Sequence, residues 1–106
     1  MKVSFSNIEI REICEDKEKA MLKIGLKASI QLQNRLADMF SAKSPLELIV
    51  GRPAPIDKKS LTYKVDLHDG LAILFLPNNL TIPKLQDGSV DWSNITRIKI
   101  QEITQL

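Results

Sequence analysis

The spacing of apolar residues changes once along this chain, and that change constrains its fold more than any other feature. In the first 44 residues, apolar side chains recur every three or four positions, which is typical of amphipathic helices. From Leu61 onwards they recur at every second position, as in half-buried strands. A helical half followed by hairpin-linked strands predicts an α+β fold in which N-terminal helices pack on a C-terminal antiparallel sheet.

Three helical segments are expected before Pro45, after a short extended start in which Val3 and Phe5 alternate with serines. Ser6 or Asn7 can cap the first helix. A second begins near residues 15–16 and reaches Gly25, which is either a helix C-cap or a break between helices. The third covers about residues 26–42 and ends before the proline. Its apolar side comprises Ala28, Leu32, Leu36, Met39 and Phe40.

The second half contains the turn signals of a meandering sheet. Asp69 and Gly70 form a hairpin dipeptide between an alternating strand and a strand, residues 71–76, that is apolar on both faces. Apolar residues on both faces predict a central position with cover on both sides. Asp87 and Gly88 mark a further turn before a last strand at about residues 96–103.

Length and composition restrict the kind of protein. A chain of 106 residues fits one domain, residues 1–106, with one core. The single cysteine, Cys14, excludes an internal disulfide, and the single His68 excludes a Cys/His zinc site, so we expect neither metal nor cofactor. No apolar run is long enough to cross a bilayer, and a reducing cytoplasm suits a lone thiol. We therefore expect a cytoplasmic protein without membrane contact.

The formal net charge is only +2, so any nucleic-acid interaction depends on where the charges lie. Strand alternation puts Lys64, Arg97 and Lys99 on the sheet face opposite the helices. Residues of the preceding crossing border that face and are candidates for contacting nucleic acid: Arg52, Lys58 and Lys59. A basic sheet face that serves solubility alone is the alternative interpretation.

Four other side chains have both a functional and a structural interpretation. His68 could transfer protons as a general acid or base, but its place beside a hairpin favours an exposed turn residue. Trp92 could stack on a base, yet it and Tyr63 fit packing roles better. Cys14 lies on the apolar side of its helix and is expected to be a buried thiol.

Several segments, taken in order, resemble HigB-like toxins of the RelE/ParE superfamily. They are residues 36–45, residues 70–77, and residues 87–93 followed by Ile98 and Ile100. The resemblance implies two helices against a curved antiparallel sheet and the toxin component of a type II toxin–antitoxin pair. Most such toxins cut ribosome-bound mRNA without a metal, and the ParE branch acts on gyrase. It also implies a cognate helix-turn-helix antitoxin, a toxin that is monomeric alone, and a larger assembly with the antitoxin.

In metal-independent cleavage the ribose 2′-OH attacks the adjacent phosphate, and basic side chains stabilise the added negative charge. Lys64, Arg97 and Lys99 are the candidate catalytic residues. The family often has an arginine in the central strand where this chain has Ala72, and its relatives tend to end in a segment with His or Tyr, which residues 103–106 lack. A catalytically weak or inactive binding module of the same fold, a gyrase-directed toxin and a non-specific nucleic-acid binder therefore stay open as alternatives.

Overall fold

The computed structural model describes all residues from Met1 to Leu106 and confirms the α+β class. The helices are α1 (Ile8–Glu15), α2 (Lys17–Ile24) and α3 (Leu26–Ser41). The strands are β1 (Lys2–Phe5), β2 (Ala54–Pro55), β3 (Tyr63–Asp66), β4 (Leu71–Pro77) and β5 (Arg97–Gln105). Short 3₁₀ turns occupy Pro45–Glu47, His68–Gly70 and Trp92–Asn94.

All five strands form one sheet, in the order β1-β5-β4-β3-β2. The pairs from β2 to β5 are antiparallel, as expected, but β1 runs parallel to β5. The sheet is therefore mixed, and the expectation of a purely antiparallel sheet is wrong at this edge. The physical reason is that the chain leaves β1 through three helices, and parallel neighbours require a long crossover of this kind rather than a hairpin.

The helices begin and end at the polar residues that the sequence offers. The Asn7 side chain accepts a hydrogen bond from the Ile10 N–H at 2.9 Å and caps α1. Asp16 caps α2 by accepting from the N–H groups of Glu18 and Lys19. Gly25 is both the C-cap of α2, where its N–H donates to the Met21 carbonyl, and the break before α3. Its φ of 85° is possible because glycine has no Cβ.

The core lies between the helices and one face of the sheet, which we call the inner face. Leu32 and Met39 of α3 are fully buried in one cluster with strand residues such as Phe75. The other fully buried strand members of this cluster are Val65, Ile73, Ile98 and Ile100. Phe40 was expected in the core but is 57% exposed. α3 packs against β1, which is the edge strand of the sheet. No strand lies beyond β1, so the side of α3 that carries Phe40 is not covered.

Aromatic packing fixes the connection between β4 and β5. Tyr63 stacks on Phe75 with ring centroids 5.1 Å apart, and Trp92 tilts against Tyr63 at 4.7 Å. Asp91 accepts hydrogen bonds from Ser93 and Asn94 in the turn that Trp92 begins. The packing roles expected for Tyr63 and Trp92 are thus confirmed.

The hairpin between β3 and β4 forms at the predicted dipeptide. Asp69 and Gly70 both have positive φ, 59° and 77°, the backbone combination that a type I′ hairpin turn requires. The strand after it is central and apolar on both sides, as predicted: Ala72 and Leu74 are buried although they belong to the face opposite the helices.

None of the three helices combines the length and apolar character needed to span a bilayer.

Candidate nucleic-acid interface on the outer face of the sheet

The sheet face turned away from the helices, here called the outer face, is predominantly basic. Register places Lys64 opposite Leu74 and Lys99 opposite Leu76, on the side away from the core. The basic side chains of this face are Lys2, Arg52, Lys64, Arg97 and Lys99. Only two carboxylates, Asp66 and Glu102, share it. The excess of positive charge that gives the chain its net +2 is therefore concentrated on this face.

Lys64 and Arg52 are joined by a carboxylate that the sequence analysis did not single out. Asp66 lies 3.0 Å from the Lys64 ammonium and 2.6 Å from the Arg52 guanidinium, one carboxylate oxygen facing each. Burial raises the pKa of Asp66, but the hydrogen bonds and charges of Lys64 and Arg52 outweigh it and hold that pKa below its usual value. Asp66 is thus ionised near neutral pH. We call these three residues the Asp66 cluster.

A tight loop brings Arg52 to this cluster. The Gly51 carbonyl accepts a hydrogen bond from the Asp66 N–H at 2.7 Å, so the loop lies directly against β3. A Cβ on Gly51 would come within 2.7 Å of a Val65 methyl group, and its φ of 91° favours glycine. Arg52 itself has a φ of 48°. Only a glycine at position 51 lets the loop approach this closely, and the approach positions the guanidinium.

The Asp66 cluster borders a shallow pocket of about 270 Å³ at one end of the outer face. Besides the three cluster residues, it is lined by Leu67, Gly70, Leu71 and Leu106. Ala72 pairs with Asp66 in the ladder and is fully buried, so no long side chain projects from the central strand here. The arginine at this end of the sheet is Arg52, which comes from the loop before β2.

A second group of cations occupies the other end of the outer face and has no acidic partner. Lys2 and Arg97 are register partners on β1 and β5, and Lys99 follows two residues after Arg97. None of the three forms an ion pair. We call Lys2, Arg97 and Lys99 the unpaired basic group. Arg97 and Lys99 are about 7 Å apart along one strand, a spacing at which both can contact neighbouring phosphates.

The three candidate catalytic residues share a face but do not form one cluster. Lys64 and Lys99 are separated by the width of β4 and by two residues along the strands, roughly 12 Å between their backbones. Arg97 lies further away again. Lys64 is moreover held by Asp66. The spread of the three residues matches a strand of nucleic acid rather than a single phosphate.

Lys58 and Lys59 lie apart from the Asp66 cluster. Both are exposed in the loop between β2 and β3. Hydrogen bonds from Ser89 lower the pKa of Asp87, and the charges of Lys58 and Lys59 contribute to that shift. These lysines therefore lie beside the turn that contains Asp87, and their positive charge stabilises the ionised Asp87 carboxylate.

Proton-transfer residues are scarce on the outer face. His68 is exposed in the hairpin turn, where its backbone N–H donates to the Gln31 side chain. Tyr63 is 3% exposed on the inner face, and burial raises its pKa. Burial and the neighbouring Glu15 raise the pKa of Cys14 to about 12, which keeps the thiol protonated. The carboxylates of Asp66 and Glu102 are the titratable groups that the outer face offers besides its cations.

Comparisons with protein-family models, with curated proteins and with solved structures find no match to this chain. No group of three or more His, Cys, Asp or Glu side chains is arranged to hold a metal ion.

Proposed function

We propose that this protein is the toxin component of a type II toxin–antitoxin pair and that it acts on ribosome-bound mRNA through the outer face of its sheet. The observation that carries the proposal is the unpaired basic group, three cations on rigid strands without an acidic partner. Cations that are not neutralised within the protein are available to phosphates. The order of segments that resemble HigB-like toxins supplies the toxin part of the proposal.

Cleavage on this face would proceed by attack of the ribose 2′-oxygen on the adjacent phosphorus. The 2′,3′-cyclic phosphate forms and the bond to the 5′-oxygen breaks. The 2′-OH proton passes to a base, and the leaving 5′-oxygen takes a proton from water. Arg97 and Lys99 bind the phosphates and stabilise the added negative charge. The base would be the Glu102 carboxylate on β5, since Asp66 lies at the other end of the outer face from Arg97 and Lys99. Asp66 is a weak base because Lys64 and Arg52 lower its pKa.

A catalytically inactive binding module is the second candidate, and one specific observation favours it. On the outer face the central strand β4 presents Ala72 where the family often has an arginine, and the Tyr63 phenol is buried in the core on the inner face. Such a module would bind RNA and a cognate helix-turn-helix antitoxin without cutting.

Induced expression in bacteria, with and without the neighbouring gene, tests the proposal. We expect growth to stop only when the protein is expressed alone, with mRNA shortened during translation. Blocked growth with intact mRNA would contradict mRNA cleavage. Assays of DNA supercoiling would then test whether the protein acts on gyrase instead. Unimpaired growth of cells that accumulate the folded protein would contradict a toxin and favour the binding module.

Charge reversal separates the outer face from the rest of the surface. Arg97→Glu and Lys99→Glu should each relieve growth inhibition, because they place a carboxylate where a phosphate is to bind. The matched control is Lys27→Glu, which makes the same change on the exposed surface of α3. Equal relief by all three variants would show that the outer face has no special role.

A further inference from the structure

The two edges of the sheet differ in whether another strand can pair with them. The β2 edge is two residues long and lies in a segment where Pro53 and Pro55 lack the N–H that a further strand needs. The β1 edge has four residues and no proline. A further strand can therefore pair with the β1 edge but not with the β2 edge.

The backbone of β1 has peptide groups available at that open edge. The Lys2 N–H donates to Thr96 O and the Ser6 N–H donates to Ile100 O, both at 3.0 Å. Alternate residues of a strand direct their N–H and C=O to the same side. The groups of Val3 and Phe5 consequently point away from β5, into the space where a sixth strand would lie.

An apolar groove of about 440 Å³ runs along the inner side of this edge, between β1, α1 and α3. Six of its nine lining residues are apolar: Val3, Phe5, Cys14, Leu36, Ala37 and Phe40. The polar members are Gln33 and the ion pair of Arg11 with Glu15. Phe40 is more than half exposed, and the Arg11 guanidinium lies 5.4 Å from the centre of the Phe5 ring. A strand paired with β1 would place every second side chain over this groove and cover Phe40.

The outer side of the same edge is cationic. Lys2 and Arg97 stand side by side in the ladder with no acidic neighbour, an arrangement of like charges that is unfavourable by itself. The outward side chains of an added strand would stand next to Lys2 and Ser4, so acidic residues complement this side. A second copy of the chain would instead bring its own Lys2, Arg97 and Lys99 to the same surface.

We propose that the β1 edge and the groove beneath it bind, by strand addition, an extended segment of another protein in which apolar and acidic residues alternate. The unpaired peptide groups select an extended chain, the groove selects apolar side chains on one side, and the unpaired basic group selects acidic side chains on the other. This surface does not depend on the proposed function, since neither RNA nor catalysis enters the reasoning.

A synthetic ten-residue peptide of alternating valine and glutamate is the probe, titrated into the full chain and followed by fluorescence anisotropy. We expect saturable binding and slower amide hydrogen exchange at Val3 and Phe5. Val3→Pro removes an outward N–H without removing a hydrogen bond to β5, and Val3→Ala is its matched control because it shortens the side chain and keeps the N–H. Val3→Pro should bind at least tenfold more weakly than Val3→Ala.

Two further changes keep the test independent of whether the proline variant folds. Phe40→Ser alters an exposed side chain of the groove and should weaken binding, and a peptide with lysine in place of glutamate should not bind. The proposal is overturned if Val3→Pro and Val3→Ala bind alike, if the acidic peptide does not bind, or if the lysine peptide binds equally well. A dimer of the free protein that Val3→Pro dissociates would also overturn it, since the occupant would then be a second copy.

Discussion

Replacing Asp66 with asparagine removes the one carboxylate that bridges two cations on the outer face. Asp66→Asn leaves Lys64 and Arg52 in place but without their counter-charge. Two partly exposed ion pairs are worth about 1 kcal/mol together, at 0.2–1 kcal/mol for each pair. We therefore expect a small loss in the free energy of unfolding and a folded protein.

The same substitution should strengthen RNA binding, because cations that Asp66 neutralises become available to phosphates. Each additional phosphate contact with single-stranded nucleic acid steepens the plot of log K against log salt by about 0.7. One or two freed cations predict a slope that is steeper by about 0.7 to 1.4. Affinity should rise most at low salt, where released counterions contribute most.

The assay is fluorescence anisotropy with a short single-stranded RNA at several salt concentrations. The matched control is Asp38→Asn, which removes the carboxylate of another ion pair, with Arg35 on α3. Asp38→Asn should leave the slope unchanged, since that pair lies on a helix and not on the outer face. A slope for Asp66→Asn that equals or falls below the wild-type slope would refute the assignment of Lys64 and Arg52 to an RNA surface.

Three further outcomes are expected. Because the pKa of Asp66 in the folded protein lies below the ordinary 3.8, its carboxylate stabilises the fold above that pH and loses this contribution as the pH falls through the folded pKa. Urea titrations at pH 7 and pH 3 should therefore show the unfolding free energies of wild type and Asp66→Asn converging in acid, and a constant difference would contradict this. Gly51→Ala should lower the thermal midpoint through a loss of roughly 1–2 kcal/mol, since alanine disfavours positive φ and its Cβ meets Val65; an unchanged midpoint would show that the loop can relax. Cys14 should resist a thiol reagent in the native protein and react on unfolding, whereas rapid native labelling would contradict its burial.

The features that the sequence predicts well are local. The cap at Asn7, the break at Gly25 and the turn at Asp69 each depend on the conformational preference of one or two residues. The apolar strand β4 is recognisable because it needs cover on both sides. These features determine the α+β class without knowledge of long-range pairing.

The features that the sequence did not predict are long-range. β1 is four residues long, and nothing within it reveals that it pairs in parallel with a strand more than 90 residues away. The exposure of Phe40 follows from the same pairing, because β1 ends the sheet beneath α3. A helix pattern identifies an apolar side but not how far the sheet extends under it.

In the candidate site, too, the local features were predictable from sequence and the long-range contacts were not. Strand alternation correctly places Lys64, Arg97 and Lys99 on one face. Alternation also puts Asp66 on the same side as Lys64, two residues away, so this carboxylate was detectable from sequence. The contact between Asp66 and Arg52 was not, because it depends on the positive φ of two consecutive loop residues.

The central claim, that nucleic acid contacts the outer face of the sheet, is tested most directly by titrating isotope-labelled protein with single-stranded RNA and mapping the changes in the NMR spectrum. We expect the largest shifts at the unpaired basic group and at the Asp66 cluster, with little change along α2 and α3. Shifts confined to the helices, or an unchanged spectrum at low salt, would contradict the claim.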